Sequence, residues 1–263
     1  MKPISSRDNP LYKELKQLAT SSQARRKAGR TLLDGVHLCE AYLLHRGLPP
    51  MCVVGQSATT HPEVLAVLAQ CDGGGSPCIV LPDALFQTLS QVEHGVHLMF
   101  VIDTPQLSMP EVLHTSAVLL DNVQDPGNLG SILRSAAAAG IATVCCSPGT
   151  AFAWSPKVLR AGMGAHFLLQ IVENVDLVRL IGKATVPVLA TSSHADKLLY
   201  EADLTQTVAW LFGHEGQGVA DDLLALATQQ IAIPHHGAME SLNVAASAAV
   251  CFFEQMRQQR RAR

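Results

Sequence analysis

The sequence predicts an α/β protein with two domains, the larger of which contains a parallel sheet. Short apolar stretches alternate with amphipathic ones along nearly the whole chain, which is typical of strands and helices in succession. A chain of 263 residues is too long for one small hydrophobic core and fits two domains. Two prolines interrupt the alternation between Asp103 and Pro110. We therefore predict domains at 1–104 and 113–263, joined by a linker at 105–112.

The first hundred residues begin with a capped helix and continue as an α/β pattern. Asn9 is a favourable N-cap and Pro10 suits the first helical position. Amphipathic helical patterns follow near 37–46, 61–70 and 83–90. Apolar runs predict strands at Thr31–Leu33, Met51–Val54, Cys78–Leu81 and His97–Ile102.

The second half alternates more regularly, and each apolar run is followed by a loop and a helical stretch. That pattern favours a parallel sheet covered on both faces, with ligands at the carboxyl ends of the strands. The predicted strands are Val118–Asp121, Thr143–Cys146, Phe167–Val172, Val186–Ala190, Val208–Phe212 and Gln230–Ile233.

Composition limits the possible surroundings of the chain. No apolar run approaches the ~20 residues that span a bilayer, and the polar start at 1–9 does not resemble a signal peptide. The seven cysteines are odd in number and include no CxxC pair, which favours reduced, buried thiols. We expect a soluble, cytoplasmic protein that does not enter membranes.

Positive charge is gathered at the two ends of the chain. The first thirty residues carry eight lysines and arginines against two acids, and the last seven carry four arginines, although the net charge is −3. A nucleic-acid phosphate backbone attracts such clusters. The candidate RNA-binding residues are Arg25, Arg26, Lys27 and Arg30. The alternative, a solvated helix face and a frayed terminus, is left open by charge alone.

The loop after the predicted strand Val118–Asp121 has two polar side chains of interest. Asn128 is placed to cap the helix that opens there. Arg134 follows nearly two turns later and projects to a similar side of that helix. Taken alone, each residue also fits a purely structural role: Asn128 as a helix cap and Arg134 as a solvent-exposed charge. The loop matches neither a P-loop nor GxGxxG, which argues against a nucleoside triphosphate or a dinucleotide.

Two further loops follow later strands. Gly213-His-Glu215-Gly-Gln-Gly218 is a glycine-rich turn with one acid, which alone is a weak signal. Ser241 and Asn243 lie at the mouth of a helix of small residues, where Ser241 also suits an N-cap. The adjacent His235 and His236 lack further ligands at metal spacing, so we predict no metal site.

Together and in this order, the loops resemble the signature motifs of the SpoU/TrmH group of SPOUT RNA 2′-O-methyltransferases. These motifs read Asn128-x-Gly130-x-x-x-Arg134, Phe212-Gly-x-Glu215-x-x-Gly218 and Ile233-Pro-x-x-Gly237-x-x-Glu240-Ser241-Leu-Asn243-Val. The stretch 155–165 resembles the connecting segment of the same family. The stretch from Arg25 to Gly35 is similar to the family's ribosomal-protein-like substrate-binding domain, with Asp34 where Glu is more typical.

The resemblance implies a SPOUT domain with a trefoil knot, preceded by a smaller α/β RNA-binding domain. It implies S-adenosylmethionine as cofactor, an RNA substrate (rRNA or tRNA) and a homodimer. Cofactor contacts are expected near Thr191, Gly213, Ile233 and Leu242. The catalytic positions are expected at Asn128, Arg134, Glu215, Ser241 and Asn243.

Each catalytic position has an expected role. Because a guanidinium stays protonated, we expect Arg134 to bind a phosphate and orient the 2′-hydroxyl. Asn128 and Asn243 are expected to hold Arg134 and the loop geometry, with Ser241 and Glu215 shaping the pocket floor. Two rivals are an RNA-binding protein of the same fold without catalysis, and a dinucleotide-dependent oxidoreductase. The filled catalytic positions disfavour the first, and the missing phosphate fingerprint disfavours the second.

Overall fold

The computed structural model describes residues 1–92, 95–236 and 241–262. The chain forms two compact units. The first consists of Met1–Gln106 together with Trp154–Phe167, and the second of Leu107–Ala153 together with Leu168–Arg263. The chain thus contributes to the first unit twice, a grouping that the alternation of strands and helices does not indicate.

The first unit is built on a mixed five-stranded sheet of order β1-β4-β3-β5-β2. Strand β5 runs antiparallel to β2 and β3, whereas β4 is parallel to β1 and β3. The strands are β1 (Lys2–Pro3), β2 (Arg30–Asp34), β3 (Met51–Gly55), β4 (Cys78–Leu81) and β5 (Leu98–Asp103). The helices are α1 (Pro10–Thr20), α2 (Ser22–Ala28), α3 (Val36–Arg46), α4 (Pro62–Gly73) and α5 (Asp83–Phe86), with a 3₁₀ turn at Gln56–Thr60.

The start of α1 confirms the predicted cap. The Asn9 side chain accepts a hydrogen bond from the Leu11 amide at 3.0 Å, and Pro10 occupies the first turn. At the other end, Ser21 closes α1 and caps α2 by accepting from the Ala24 amide. One residue therefore separates two helices of which the sequence predicted only the first.

The segment Trp154–Phe167 packs within the first unit. It forms α7 (Pro156–Gly162) and a 3₁₀ turn at Ala165–Phe167. The Thr31 hydroxyl donates to the Trp154 carbonyl at 2.8 Å in a buried position. The Phe167 ring meets the Tyr42 ring edge-on, with centroids 5.4 Å apart. This segment is therefore part of the core of the first unit.

The second unit is built on a six-stranded parallel sheet of order β11-β9-β10-β6-β7-β8. Its strands are β6 (Ala117–Leu120), β7 (Thr143–Cys146), β8 (Gln170–Val172), β9 (Val188–Thr191), β10 (Ala209–Phe212) and β11 (Gln229–Ile231). Its helices are α6 (Pro126–Ala139), α8 (Leu177–Ile181), α9 (Asp221–Leu226) and α10 (Val244–Arg261), with a 3₁₀ turn at Leu199–Glu201.

Helices cover both faces of this sheet, as predicted. On one face Leu211 of β10 is in a core cluster with Leu180 of α8 and Leu223 of α9. On the other, Trp210 donates from Nε1 to Gln255 of α10 at 2.7 Å, and the Phe212 ring meets Phe252 edge-on. Because side chains alternate along a strand, one central strand anchors both layers.

Two predicted elements have only half their predicted length in the structure. The predicted strand Phe167–Val172 contains a strand only at Gln170–Val172, because Phe167 ends the 3₁₀ turn that packs against Tyr42. The predicted helix near 83–90 is a single turn, α5, at Asp83–Phe86.

Candidate active site

The candidate site is built at the carboxyl ends of the neighbouring strands β11, β9, β10 and β6. The loop after β6 leads into α6, and the glycine loop after β10 leads into α9. In a parallel sheet these ends share one edge, so residues far apart in sequence meet there. The predicted catalytic residues Asn128, Glu215 and Asn243 are joined by hydrogen bonds at this edge.

The first turn of α6 is capped by Asp125 and not by the predicted Asn128. The Asp125 carboxylate accepts from the backbone amide of Asn128 at 2.8 Å, and Pro126 occupies the first helical position. An aspartate followed by proline is a strong helix start, and it places Asn128 inside the first turn of α6 instead of at the cap. The Asn128 side chain is therefore available for other contacts.

Glu215 joins the glycine loop to the start of α6. Its carboxylate accepts from the backbone amides of Gln124 at 3.2 Å and Asp125 at 3.0 Å, and from Nδ2 of Asn128 at 3.1 Å. Desolvation acts to raise the pKa of Glu215, but the bonds from Asn128 and the backbone amides outweigh it and lower that pKa. Glu215 is thus a carboxylate whose oxygens are already engaged.

Asn128 and Asn243 bond directly to each other. Nδ2 of Asn243 donates to Oδ1 of Asn128 at 2.9 Å, while Oδ1 of Asn243 accepts from the amides of Ala245 and Ala246. Asn243, and not Ser241, is therefore the N-cap of α10. The chain Glu215–Asn128–Asn243 links one residue from each of the three motifs.

The glycine loop is shaped by a close backbone approach. His214 and Gly218 exchange backbone hydrogen bonds of 2.9 and 2.8 Å. A Cβ added to Gly213 would lie 2.1 Å from the carbonyl carbon of Gly218, and Gly218 has a φ of +74°. A side chain at 213 would require a backbone shift, and one at 218 would be strained by the positive φ, so glycine suits both positions.

Asp121 is a site residue that the sequence analysis missed. One carboxylate oxygen accepts from the Ala220 amide at 3.0 Å, and the other lies 3.4 Å from the Ser147 hydroxyl. The same hydroxyl accepts from the Asn122 amide at 2.9 Å. Asp121 thus ties the loops after β6, β7 and β10 together. Its signal was an acid at the last position of an otherwise apolar predicted strand.

Arg134 lies on α6 with an exposed side chain. In the part of the chain that the structure describes, no hydrogen bond or ion pair holds its guanidinium. Asn128 bonds both to Glu215 and to Asn243, and among the described residues neither asparagine bonds to Arg134, so the expectation that they hold Arg134 stays a prediction. Among the described residues this cation is therefore not committed to a partner.

The other predicted positions lie at or after strand ends. Thr191 ends β9 and donates to the Leu211 carbonyl at 3.4 Å. Ile233 is partly buried, and its carbonyl accepts from the His235 ring at 3.0 Å. Ser241 and Leu242 are exposed. Gly237 and Glu240 of the third motif, and Arg263 of the tail, lie outside the described residues.

Comparison with known proteins decides between the interpretations of this site. Residues 115–253 match the SpoU rRNA Methylase family. The chain belongs to the SpoU rRNA methylase family. The 23S rRNA (guanosine(2553)-2′-O)-methyltransferase RlmP of Bacillus subtilis is 32% identical over 96% of this chain and 98% of its own.

Two more relatives extend over nearly the whole chain. An uncharacterized tRNA/rRNA methyltransferase of Synechocystis sp. is 35% identical over 97% of this chain and 94% of its own. The AdoMet-bound rRNA methyltransferase from Sinorhizobium meliloti superposes with a TM-score of 0.85 at 25% identity, covering 97% of each chain. The predicted resemblance, the α/β fold class and the assignment as an S-adenosylmethionine-dependent RNA methyltransferase are confirmed.

The four predicted cofactor positions of this SpoU methylase suit S-adenosylmethionine chemically. Thr191 offers a hydroxyl, Gly213 a peptide without a side chain, and Ile233 and Leu242 apolar surface for a nucleoside. None of the four is cationic, so none would repel the positively charged sulfonium. In residues 1–92, 95–236 and 241–262 no cluster of metal-ligating side chains is present.

The predicted RNA-binding residues of the SpoU methylase differ in their surroundings. Arg25 is 6% exposed and donates to the carbonyls of Leu18 and Ala19. Arg30 pairs with Glu14 and Asp103 at 3.2 and 3.4 Å. Arg26 and Lys27 are exposed. Arg25 is therefore committed to the fold of the first unit, and a phosphate-binding role is left to the other three.

Proposed function

We propose that this SpoU methylase transfers a methyl group to a ribose 2′-hydroxyl of ribosomal RNA. The observation that carries the proposal is the hydrogen-bonded chain Glu215–Asn128–Asn243, which assembles one residue from each of the three motifs. The names of relatives support this class of substrate: RlmP is a 23S rRNA guanosine 2′-O-methyltransferase. A ribosomal substrate is also consistent with the cytoplasmic location that the sequence predicts.

The protein's own residues align the reacting ribose. Bound S-adenosylmethionine supplies an electrophilic methyl group. The exposed Arg134 guanidinium binds the phosphate beside the target ribose and orients the 2′-hydroxyl, for which a planar, permanently charged fork is well suited. Asn128 and Glu215 hold the first turn of α6, from which Arg134 projects nearly two turns later. Alignment of this kind accounts for large rate effects without a metal or a covalent intermediate.

Glu215 does not serve as the general base in this mechanism. Its carboxylate already accepts three hydrogen bonds, and its pKa is lowered. A base that removes a hydroxyl proton works best with a pKa near the working pH. The hydroxyl proton is released to solvent water, and Glu215 acts through the residues that it holds.

The test is transfer of a radioactive methyl group to purified RNA. The protein is incubated with labelled S-adenosylmethionine and with either rRNA or tRNA from cells that lack the gene. A 2′-O-methyl group blocks alkaline cleavage of the next phosphodiester, so label in alkali-resistant dinucleotides from rRNA is the expected result. Label in tRNA alone would overturn the ribosomal assignment. Donor-dependent RNA binding without transfer would favour the inactive rival.

We further propose that the protein acts as a homodimer and that its C-terminal segment threads a trefoil knot. Both are implied by the resemblance to the SPOUT family. Small residues in α10, among them the buried Ala245 and Ala248, allow another backbone to approach closely, which a threaded segment needs. Light scattering coupled to gel filtration measures the oligomeric state, and a monomeric mass at micromolar concentration would contradict the dimer.

A further inference from the structure

His214 stands out in the glycine loop because its ring bonds to the loop itself. Nδ1 lies 2.9 Å from the backbone amide of Gly216 and 3.2 Å from that of Gln217. The residue's own backbone pairs in both directions with Gly218. Side chain and main chain of one residue therefore fix the whole turn from 214 to 218. Glu215, at the centre of that turn, is the residue that reaches α6.

The two amides settle how the imidazole is protonated. A backbone N–H donates only, so Nδ1 accepts both bonds with its lone pair. The ring is then neutral, with its proton on Nε2. His214 is partly buried and Gly216 is exposed, so the ring supplies an acceptor to amides in an exposed turn. The ring acts here as a side-chain cap.

We propose that His214 is a positioning residue of this SpoU methylase, whose Nδ1 holds the turn that presents the Glu215 carboxylate to the first turn of α6. With glycine at 213, 216 and 218 the loop has wide conformational freedom. Yet Glu215 must meet the amides of Gln124 and Asp125 and the Asn128 side chain together. The ring bonds restrict that freedom from within the loop. For its effect on catalysis the inference depends on the proposed function.

Asn243 shows within the same chain which substitution preserves this role. Its Oδ1 accepts from the amides two and three residues ahead, at Ala245 and Ala246. Nδ1 of His214 accepts from the amides at the same two offsets, Gly216 and Gln217. Asparagine makes such local bonds readily. His214→Asn therefore keeps the acceptor and loses only the ring.

The kinetic test compares His214→Ala, His214→Asn and the control His114→Ala, which removes an exposed histidine ahead of β6. We expect His214→Ala to lower kcat at least tenfold, since misplaced catalytic geometry costs rate steeply. His214→Asn and His114→Ala should stay within about threefold of the unchanged protein. Alanine as active as asparagine, or asparagine as impaired as alanine, would overturn the proposal.

A spectroscopic test does not depend on turnover. In ¹⁵N-labelled protein the His214 ring should show an unprotonated, hydrogen-bonded Nδ1 and a protonated Nε2 at pH 7.5. The Gly216 and Gln217 amides should exchange with solvent at least tenfold faster in His214→Ala than in His214→Asn. A proton on Nδ1, or equal rates of amide exchange in the two variants, would refute the inference even if the enzyme is active. Absent methyl transfer with both signatures present refutes the proposed function and leaves the loop role standing.

Discussion

At the scale of single residues, the site depends on which side chain caps which helix. Asp125 caps α6, and this leaves the side-chain amide of Asn128 to bridge Glu215 and Asn243. Nδ2 of Asn128 donates to a carboxylate while its Oδ1 accepts from Asn243, so the orientation of the amide is fixed. Neither aspartate nor leucine at 128 would make both bonds.

Arg134 gives the first prediction. Because its guanidinium is exposed and unpaired among the described residues, Arg134→Ala should leave folding and donor binding nearly unchanged while lowering methyl transfer at least a hundredfold. Arg134→Lys should recover little, since a point charge does not reproduce a planar fork. Calorimetry with S-adenosylmethionine and single-turnover transfer measure the two quantities. A matching loss of donor affinity would assign Arg134 to the cofactor instead.

Asn243 has two separable jobs, and two variants separate them. Asn243→Ala removes both the cap of α10 and the bond to Asn128, so stability should fall by about 1 kcal/mol along with activity. Asn243→Asp keeps a good cap but has no N–H for Asn128, so it should lower activity with little loss of stability. Urea denaturation and methyl-transfer rates provide the comparison. Full activity in the aspartate variant would show that capping is the residue's whole role.

At the scale of elements, the sequence predicted the strands of the second unit within a few residues because buried parallel strands are apolar runs between loops. The elements β1 and α2 of the first unit were not predicted, each for its own physical reason. Lys2–Pro3 is an exposed edge of two residues, and Ser22–Ala28 is a polar helix without a clear apolar stripe. Tertiary contacts hold both in place, and no local pattern reveals these.

The same limit applies to the site. Residue types at 128, 215 and 243 were predictable from the motifs, but their bonds join positions 87 and 115 residues apart. Asn128 was assigned to the cap because its own spacing permits it, and only the competing carboxylate three residues earlier excludes it. Partners are set by which strands lie side by side, and local sequence does not specify that.

Helix α2 yields an element-scale prediction. Arg25 donates to the carbonyls of Leu18 and Ala19 at the end of α1, and burial lowers its pKa. Removing the donor leaves buried carbonyls unsatisfied, which costs about 1–3 kcal/mol. Arg25→Met, which keeps the packing of the stem, should therefore destabilise the protein by about that amount. The exposed neighbour Lys27→Ala should change stability by less than about 0.5 kcal/mol. Equal denaturation midpoints in the two variants would contradict the anchoring role.

At the scale of the whole molecule, the two units divide the work in the proposed function. The second unit holds the motif residues of the SpoU family, and the first carries the cluster of four predicted RNA-binding cations at 25–30. The structure separates that cluster into one structural cation, Arg25, and three others. Charge counted along the sequence therefore overstated the number of cations available to a phosphate backbone.

The last prediction measures how many of these cations bind RNA. Replacing Arg26, Lys27 and Arg30 by glutamine while keeping Arg25 should preserve the fold. If all three bind phosphates, the slope of log K against log salt should flatten by roughly 0.7–0.9 for each phosphate that is no longer neutralised. Arg30 already pairs with Glu14 and Asp103, so we expect its contribution to the change in slope to be the smallest of the three.

The affinity for S-adenosylmethionine, a property of the second unit, serves as the control and should not change. Removal of the tail residues Arg260 and Arg261 should matter less, because they lie in the last turn of α10. An unchanged salt slope in the triple variant would mean that these residues form only a solvated face, and RNA recognition would then fall to the second unit.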